Sequence, residues 1–254
     1  MLPTYTEDYL LDQKVKIFQP TAGYRASADA VLLSSMVNVS RMQSKILDVG
    51  SGTGAVSLCL AYREQKNDIL MAGLELQPEL AALSNYSAEQ NRFAFLRYYQ
   101  ADIREKIDQN ICKPCSFDIV VTNPPYSDHD MPSPNISKST AHNLQAFNLK
   151  QWLTFCIKMA KPFGTIYMIN RTEALDEICY TAENKCGAIK ILPVFSKQGQ
   201  PAKRIIVSMQ KDSKAPLCIL PPLTIHKPDG SYTDEAQKIL RQGKTVAEIF
   251  GSFK

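Results

Sequence analysis

A glycine-rich junction between a predicted strand and a predicted helix constrains the fold of this chain more than any other feature. Residues 48–54 read D-V-G-S-G-T-G; an apolar run at 45–50 leads into them and a helical stretch at 55–63 follows. Glycine allows a sharp backbone turn and the close approach of a ligand. The start of the helix adds free N–H groups and the positive end of the helix dipole. Such a junction favours an α/β sheet with a ligand bound at the turn.

Short β-rich runs alternate with helical stretches along the rest of the chain, as in a parallel sheet that is covered on both faces. Strands are predicted at 45–50, 69–75, 96–101, 117–122, 164–170, 188–195 and 203–210. Helices are predicted at 27–39, 55–63, 78–92, 148–159, 173–186 and 233–241. The pattern predicts an α/β fold with a seven-stranded, mostly parallel sheet at 45–254, preceded by an N-terminal segment at 1–44.

The composition excludes a disordered chain. The 254 residues are 44% hydrophobic and 21% charged, with a net charge of only +4, whereas a disordered chain is less apolar and more highly charged. No run approaches the roughly 18 apolar residues that span a bilayer, and the acidic start is unlike a signal peptide. We therefore expect a cytoplasmic protein without a membrane partner. Cys112 and Cys115 form a C-x-x-C pair with no further ligands at suitable spacing, so no metal is expected.

Asp48 and the spacing of the glycines indicate which ligand this junction binds. The glycines occupy every second position, unlike the G-x-G-x-x-G pattern of dinucleotide-binding turns. A carboxylate just before them would repel a pyrophosphate and suits a ligand with positive charge. The segment resembles motif I of the class I S-adenosylmethionine-dependent methyltransferases, which have a Rossmann-like fold. The resemblance implies S-adenosylmethionine as the cofactor, bound by Asp48, Gly50, Ser51, Gly52, Thr53, Gly54, Glu75, Leu76, Asp102, Ile103 and Asn123.

Two acids of this set have separate roles in the family that the motif resembles. There, an acid at the end of the second strand binds both ribose hydroxyls, and an Asp after the third strand binds the adenine amine. Glu75 and Asp102 stand at these places. A carboxylate suits the first role because it can accept two hydrogen bonds from a diol.

A second motif, Asn123-Pro124-Pro125-Tyr126, follows the fourth predicted strand. It resembles the N-P-P-Y signature of methyltransferases that act on a nitrogen conjugated to a π-system, such as the adenine N6 amine or a glutamine amide. The resemblance implies that all four residues are catalytic. The Asn123 oxygen and the Pro124 carbonyl would accept the amine hydrogens and so direct the delocalised lone pair toward the methyl group. Tyr126 would stack on a flipped base.

Three flanking segments resemble the bacterial tRNA(Val) adenine-N6 methyltransferase family, whose members modify the adenine at position 37. They are F-Q-P…G-Y-R…D-A-V-L-L at 18–33, Q-P-A-K-R-I-I-V at 200–207 and L-T-I-H…D-G-S-Y-T-D-E at 223–235. The resemblance implies a nucleic-acid partner, tRNA, in contact with Tyr24, Arg25, Tyr126, His142, Lys203 and Arg204. The N-terminal segment is expected to cover the cofactor or to contact the substrate.

Other functions share part of this pattern. A glutamine-N5 methyltransferase of the release-factor type also carries N-P-P-Y, but it typically has a helical domain before motif I, and only 44 residues precede the first predicted strand here. An rRNA or DNA adenine-N6 methyltransferase is a second alternative, although the DNA enzymes usually need a separate recognition domain. A cofactor- or RNA-binding module without catalysis is the third, and the intact N-P-P-Y argues against it. A monomer is favoured.

Overall fold

A mostly parallel sheet forms the centre of the molecule. The computed structural model describes residues 2–39, 43–65, 68–126 and 148–251. Within these ranges an N-terminal hairpin consists of β1 (Tyr5–Leu10) and β2 (Val15–Pro20). Nine strands form the main sheet: β3 (Lys45–Val49), β4 (Leu70–Glu75), β5 (Leu96–Gln100), β6 (Phe117–Thr122), β7 (Ala160–Arg171), β8 (Cys186–Lys197), β9 (Arg204–Lys211), β10 (Cys218–Ile219) and β11 (Leu223–His226).

The predicted seven-stranded core of the sheet is confirmed. Its strands lie in the order β8-β9-β7-β6-β3-β4-β5, and β9 runs antiparallel to both of its neighbours. Two short strands beyond the predicted seven, β10 and β11, extend this core along the outer edge of β8, and β11 lies where a short extended piece is predicted in the tail that starts at Pro221. They are 2 and 4 residues long, too short to show an alternation of apolar and polar residues.

Helices cover both faces of the sheet. In the described ranges they are α1 (Ala28–Met36), α2 (Ala55–Glu64), α3 (Pro78–Gln90), α4 (Leu149–Met159), α5 (Leu175–Ala182), α6 (Asp234–Gln242) and α7 (Val246–Phe250). Side-chain caps fix four of the starts, because Ser27, Asn148, Thr233 and Thr245 each accept a hydrogen bond from the first turn. No helix in this part of the chain is long and apolar enough to cross a membrane.

Two elements differ from the sequence prediction. The helix predicted at 173–186 begins as a 3₁₀ turn (Thr172–Ala174) and ends early, before Asn184 takes a left-handed φ of 60°. No strand is predicted before residue 45, yet residues 5–20 form the hairpin. Most tight hairpins have a glycine where φ is positive, which makes them visible in a sequence. In this turn the residues with positive φ are Leu11, Asp12 and Gln13.

The hairpin is docked on α3 by contacts between residues that are distant in the sequence. The Lys16 N–H donates to the Asn91 side chain at 2.9 Å, and that side chain donates back to the Lys16 carbonyl at 2.7 Å. The Phe18 N–H donates to the Ser87 hydroxyl at 3.0 Å. Ile17 is fully buried in the main core. The N-terminal segment is thus anchored to the same core as the sheet.

The order of the strands reverses beside β3, and this reversal places the site. The chain runs outward from β3 through α2, β4, α3 and β5, and it then returns to β6 on the other side of β3. One apolar cluster lies on the side of α1, α2, α6 and α7, and the other lies on the side of α4 and α5. In such sheets, ligands bind beyond the carboxyl ends of the strands at the reversal. These ends belong to β3 and β6.

Candidate active site

The glycine-rich turn leaves β3 and is tied to the neighbouring strand by its own backbone. The N–H groups of Gly50 and Ser51 donate to the Leu74 carbonyl at 2.9 and 3.0 Å. The Gly52 N–H donates to the Glu75 carboxylate at 2.8 Å. Gly50 and Gly52 have φ values of 69° and 56°, a left-handed conformation that glycine adopts without strain. The turn is therefore preformed at the carboxyl ends of β3 and β4.

A buried polar network lies below the turn and orients Asp48. The Ser57 hydroxyl donates to Asp48 Oδ2 at 2.7 Å and lies 2.9 Å from the Tyr98 hydroxyl. The Tyr98 hydroxyl in turn donates to the Gly54 carbonyl at 3.2 Å. A Cβ at Gly54 would lie only 2.5 Å from this hydroxyl. Glycine at this position therefore allows the network to support the turn from below.

Asp48 is buried, yet one of its oxygens lacks a partner. The residue is 1% exposed. Burial raises the pKa of Asp48 to about 7; hydrogen bonds from Ser57 oppose this shift and the nearby Glu75 adds to it. Asp48 Oδ1 and the buried hydroxyls of Ser51 and Thr53 have no hydrogen-bond partner among the described residues. Three such atoms on one turn fit a ligand that brings donors and a positive charge, as the amino acid part of S-adenosylmethionine does.

Glu75 stands at the carboxyl end of β4, beside the turn. It accepts hydrogen bonds from the N–H groups of Gly52 and Gln77, at 2.8 and 2.9 Å. Burial raises the pKa of Glu75, and these N–H groups oppose the shift. Each oxygen keeps a lone pair for a further donor, as a ribose diol requires. Leu76 is 39% exposed beside it and offers an apolar surface to a ligand.

Asp102 and Ile103 follow β5. The Ala101 N–H donates to the Glu75 carbonyl at 2.8 Å, which keeps Asp102 close to the end of β4. Arg104 binds both Asp102 oxygens, with Nε at 2.8 and 2.9 Å, and these bonds lower the pKa of Asp102. Ile103 packs partly buried against the core. Asp102 is therefore ionised and already paired with a cation.

Asn123 lies beside the glycine-rich turn because β6 is the neighbour of β3. Thr122 pairs in register with Val49, and its hydroxyl donates to the Val49 carbonyl at 2.8 Å. The Trp152 Nε1–H donates to the Thr122 hydroxyl at 2.8 Å. The same indole lies against Gly50, where a Cβ would approach it to 2.5 Å. One aromatic ring thus contacts the strand ends that carry both motifs.

Tyr126 joins the N-P-P-Y motif to the N-terminal segment. Its hydroxyl lies 2.9 Å from Asn123 Oδ1 and 2.8 Å from Asp29 Oδ2. Arg204 Nε donates to the same Asp29 oxygen at 3.0 Å, and its guanidinium lies 4.6 Å from the centre of the Tyr126 ring. The Arg171 guanidinium lies 5.6 Å from that centre. Burial and the Asp29 charge raise the pKa of Tyr126, so its hydroxyl stays protonated and donates.

Tyr24 lies over the glycine-rich turn. A Cβ on Gly52 would be 2.6 Å from its ring. Burial raises the pKa of Tyr24 to about 12, and the charges of Asp48, Glu75 and Asp29 add to this shift. The ring therefore covers Gly52 and lies close to the carboxylates of Asp48 and Glu75.

The other predicted substrate residues lie in different surroundings. Arg25 is bound to the hairpin, where its guanidinium pairs with Asp8 at 2.7 Å and donates to the Thr6 hydroxyl at 3.0 Å. Lys203 is exposed just before β9. His142 lies outside the residues that the structure describes. In the described ranges, no three His, Cys, Asp or Glu side chains are grouped to hold a metal ion.

Three residues of the site are absent from the sequence prediction. Asp29 stands in the D-A-V-L-L segment, so the resemblance of that segment could have marked it. Trp152 is the only tryptophan of the chain, and it lies on a strongly amphipathic stretch. Arg171 ends β7, and nothing in its local sequence distinguishes it from a solvated strand end.

Solved structures of methyltransferases share this arrangement of strands. A predicted O-methyltransferase from Agrobacterium tumefaciens matches with a TM-score of 0.69 and 22% identity, over 85% of this chain and 97% of that one. A 16S rRNA N2 methyltransferase of T. thermophilus, in complex with AdoMet and guanosine, matches with a TM-score of 0.54 and 16% identity, over 84% of this chain and 46% of that one. At these identities the likeness shows the fold alone.

Fold and site together define a class I methyltransferase that uses S-adenosylmethionine. A family model, the methyltransferase small domain, matches residues 25–146. A tRNA1(Val) (adenine(37)-N6)-methyltransferase from Actinobacillus pleuropneumoniae serotype 5b is 30% identical over 85% of this chain and 89% of its own length. A relative of the same name from Dyadobacter fermentans is 26% identical over 85% and 88%. The chain belongs to the tRNA1(Val) (adenine(37)-N6)-methyltransferase family.

Proposed function

We propose that this protein transfers a methyl group from S-adenosylmethionine to the N6 amine of an adenine in tRNA, at position 37 beside the anticodon. The observation that carries the proposal is the register of Thr122 with Val49, which sets Asn123 beside the glycine-rich turn. Positioning of this kind supplies much of the rate enhancement in a direct displacement. The names of the relatives support tRNA as the partner, and a tRNA substrate supports a cytoplasmic location.

The cofactor side would hold S-adenosylmethionine by complementary charge and hydrogen bonds. When bound, this cofactor would supply a methyl group activated by its sulfonium: the bond from sulfur to methyl breaks as the bond to the N6 nitrogen forms, the thioether leaves, and the nitrogen releases one proton. Asp48, Ser51 and Thr53 offer their unpartnered oxygens to the amino acid part. Glu75 would accept hydrogen bonds from the ribose hydroxyls, and Asp102 would accept one from the adenine amine. Since Arg104 already binds Asp102, that amine must share its carboxylate with the guanidinium.

The target side presents acceptors to the adenine amine. Asn123 Oδ1 and the Pro124 carbonyl accept the two N–H groups, which directs the nitrogen lone pair toward the methyl group. In the protein without substrate, the Tyr126 hydroxyl shares its one hydrogen between Asn123 Oδ1 and Asp29 Oδ2, so the amine takes the place of that hydroxyl at Asn123 when the base binds. Tyr126 keeps Asp29 as its acceptor and stacks on the base, a contact worth about 1–3 kcal/mol.

The proposal is tested with methyl-labelled S-adenosylmethionine and separate pools of tRNA, rRNA, DNA and protein. Label is expected in tRNA, and digestion to nucleosides should recover it as N6-methyladenosine. The Asn123→Ala variant should lose this product while it still binds the cofactor in calorimetric titration. Label in protein alone, or in a nucleoside other than adenosine, would contradict the assignment.

A further inference from the structure

We propose that the pocket beside Tyr126, lined by Arg171, Lys203 and Arg204, binds a phosphodiester of the RNA strand that flanks the methylated adenine. This inference rests on the proposed function and deepens it. It adds a place where the backbone of the RNA is held, next to the place where its base reacts.

The pocket opens at the edge of the sheet that carries the active site. It has a volume of about 550 Å³ and lies between the end of β7 and the start of β9, lined by Arg171, Glu173 and residues 200–204. Because β7 runs parallel to β6, the end of β7 lies at the same edge as the N-P-P-Y motif. Three lining side chains are cationic and one is acidic, so the pocket carries a positive excess.

The two arginines face each other in a way that favours an anion. Arg171 and Arg204 are directly opposed in the register of β7 and β9. Like charges in opposed positions destabilise a sheet. Asp29 offsets the charge of Arg204 at 3.0 Å. A phosphate at the mouth of the pocket would offset it further, and the fork of donors on a guanidinium matches phosphate oxygens well.

Tyr126 connects this pocket to the base. Its ring centre lies 4.6 Å from the Arg204 guanidinium and 5.6 Å from that of Arg171. Both guanidiniums lie over this ring, so a nucleotide whose base stacks on it brings its phosphates within reach of the two cations. Base stacking and backbone charge are the two contacts that proteins combine when they bind single-stranded RNA.

A second open pocket on the molecule provides a matched control. It lies along α3 and β5, has a volume of about 840 Å³ and is lined by residues that include Arg92, Arg97 and Glu89. β5 is the strand at the far edge of the sheet from β8. Arg97 is exposed on this strand. A substitution of Arg97 therefore removes one exposed positive charge at the opposite edge of the sheet from the proposed phosphate site.

The test measures the salt dependence of RNA binding for Arg171→Gln and for Arg97→Gln. The probe is a stem-loop RNA with the tRNA(Val) anticodon sequence, titrated over a series of KCl concentrations. Arg171→Gln should weaken binding about tenfold at low salt and lower the slope of log K against log salt by about 0.7, the value for one phosphate contact on a single strand. Arg97→Gln should keep the wild-type slope. Both variants should keep the wild-type S-adenosylmethionine affinity, and neither should melt below the wild type, because Arg171→Gln removes one of two opposed like charges. A wild-type slope for Arg171→Gln would overturn the proposal.

Modified RNA then locates the phosphate. A neutral methylphosphonate is placed at the linkage on either side of the target adenosine, one at a time. At one of these positions, the methylphosphonate should weaken RNA binding by the wild type as much as the substitution Arg171→Gln does. The same modified RNA should bind Arg171→Gln no more weakly than the unmodified RNA does. If the methylphosphonate at both positions weakens RNA binding by Arg171→Gln as much as it weakens binding by the wild type, the site is overturned. Competition by millimolar inorganic phosphate at constant ionic strength would assign the pocket to a free anion instead.

Failure of this inference can be told apart from failure of the proposed function. If the wild type forms no N6-methyladenosine in any RNA, the proposed function fails and the phosphate site fails with it. If the wild type methylates the stem-loop and Arg171→Gln retains the wild-type salt slope, only the phosphate site fails.

Discussion

The two sides of the proposed active site, the cofactor side and the target side, are built in different ways. The cofactor side consists mainly of one contiguous segment, 48–54, which backbone N–H groups tie to the end of β4. The target side is assembled from three distant segments, which contribute Asp29, residues 123–126 and Arg204. Side chains hold this second assembly together. The cofactor side is therefore fixed by local backbone conformation, and the target side is fixed by tertiary contacts.

The difference corresponds to what each ligand demands. A cofactor of constant shape is bound best by a cradle that exists before it arrives, because little order is lost on binding. A base that must enter and leave needs contacts that can be exchanged. The hydrogen bond from Tyr126 to Asn123 is such a contact, since the adenine amine can replace the hydroxyl as the donor.

The largest effect is expected from Asn123→Ala, which should separate the two sides. We expect kcat to fall about 10²- to 10³-fold, the range for loss of one positioned polar group in a transition state. The Kd for S-adenosylmethionine should rise by no more than about tenfold, because the cofactor contact that the resemblance implies for Asn123 is a single hydrogen bond of about 0.5–1.5 kcal/mol. Single-turnover methylation of the stem-loop and calorimetric titration measure the two quantities. Asn110→Ala, at an exposed asparagine, is the control. An equal loss of cofactor affinity would mean that the sides are not separable.

Asp48→Asn should act on the other side alone. Loss of a charge-assisted hydrogen bond of about 1.5–3 kcal/mol corresponds to a Kd for the cofactor that is about 10- to 100-fold higher. At saturating cofactor, kcat should be close to that of the wild type. A variant that binds the cofactor normally but methylates slowly would place Asp48 in the reaction and not in cofactor binding.

The raised pKa of Asp48 also predicts that the stability of the protein without cofactor depends on pH. The pKa of Asp48 is about 7 in the fold and about 3.9 in an unfolded chain. Between these values the folded state binds more protons, so its stability is lost as the pH rises. The melting temperature of Asp48→Asn minus that of the wild type should therefore grow from pH 5 to pH 8. A difference that does not change with pH would contradict the raised pKa.

Asp29→Asn should loosen the target side more mildly. The substitution keeps an acceptor for Tyr126 but removes the charge that pairs with Arg204, so we expect KM for the RNA to rise about fivefold, in line with a partly exposed charged contact. The Kd for the cofactor should not change. Asp118→Asn is the matched control, because both aspartate side chains are 16% exposed and each pairs with a cation, Asp118 with Lys161 at 2.9 Å. Equal effects of the two variants would make the role of Asp29 one of general stability.

The smallest effect is expected from Tyr24→Ala, which removes the ring over Gly52. Aromatic contacts with a cationic ligand contribute about 0.5–1 kcal/mol at exposed sites, so the Kd for S-adenosylmethionine should rise about two- to fivefold. Tyr24→Phe should restore most of the affinity. Tyr9→Ala changes a tyrosine that is 47% exposed on the hairpin and should leave cofactor binding as it is. An unchanged Kd for Tyr24→Ala would remove this residue from the cofactor side.

The sequence predicts the local structure of the proposed cofactor side better than the contacts of the proposed target side, for a physical reason. Gly50 and Gly52 are required by backbone conformation, which leaves a pattern in consecutive residues. The contact of Asp29 with Tyr126 joins side chains 97 positions apart and leaves no such pattern. Arg25 illustrates the same limit, since an arginine near a predicted site can equally pair with a hairpin carboxylate, as it does with Asp8.

The hairpin could not be predicted for a related reason. Its docking depends on Asn91, which bonds to both backbone groups of Lys16 from 75 positions away. Its turn uses residues that rarely take positive φ. By contrast, the central strands β3 and β6 are buried on both faces and read as continuous apolar runs, so both were predicted almost to their ends.

The position of Trp152 gives the molecule an optical reporter. Indole emission responds to the polarity and hydrogen bonding around the ring. Because this ring lies against Gly50 and donates to Thr122, ligands that arrive on either side of the active site alter the surroundings of one fluorophore. It is also the only tryptophan of the chain, so its signal has no background from other indoles. The order in which cofactor and RNA bind can therefore be followed on the unlabelled protein.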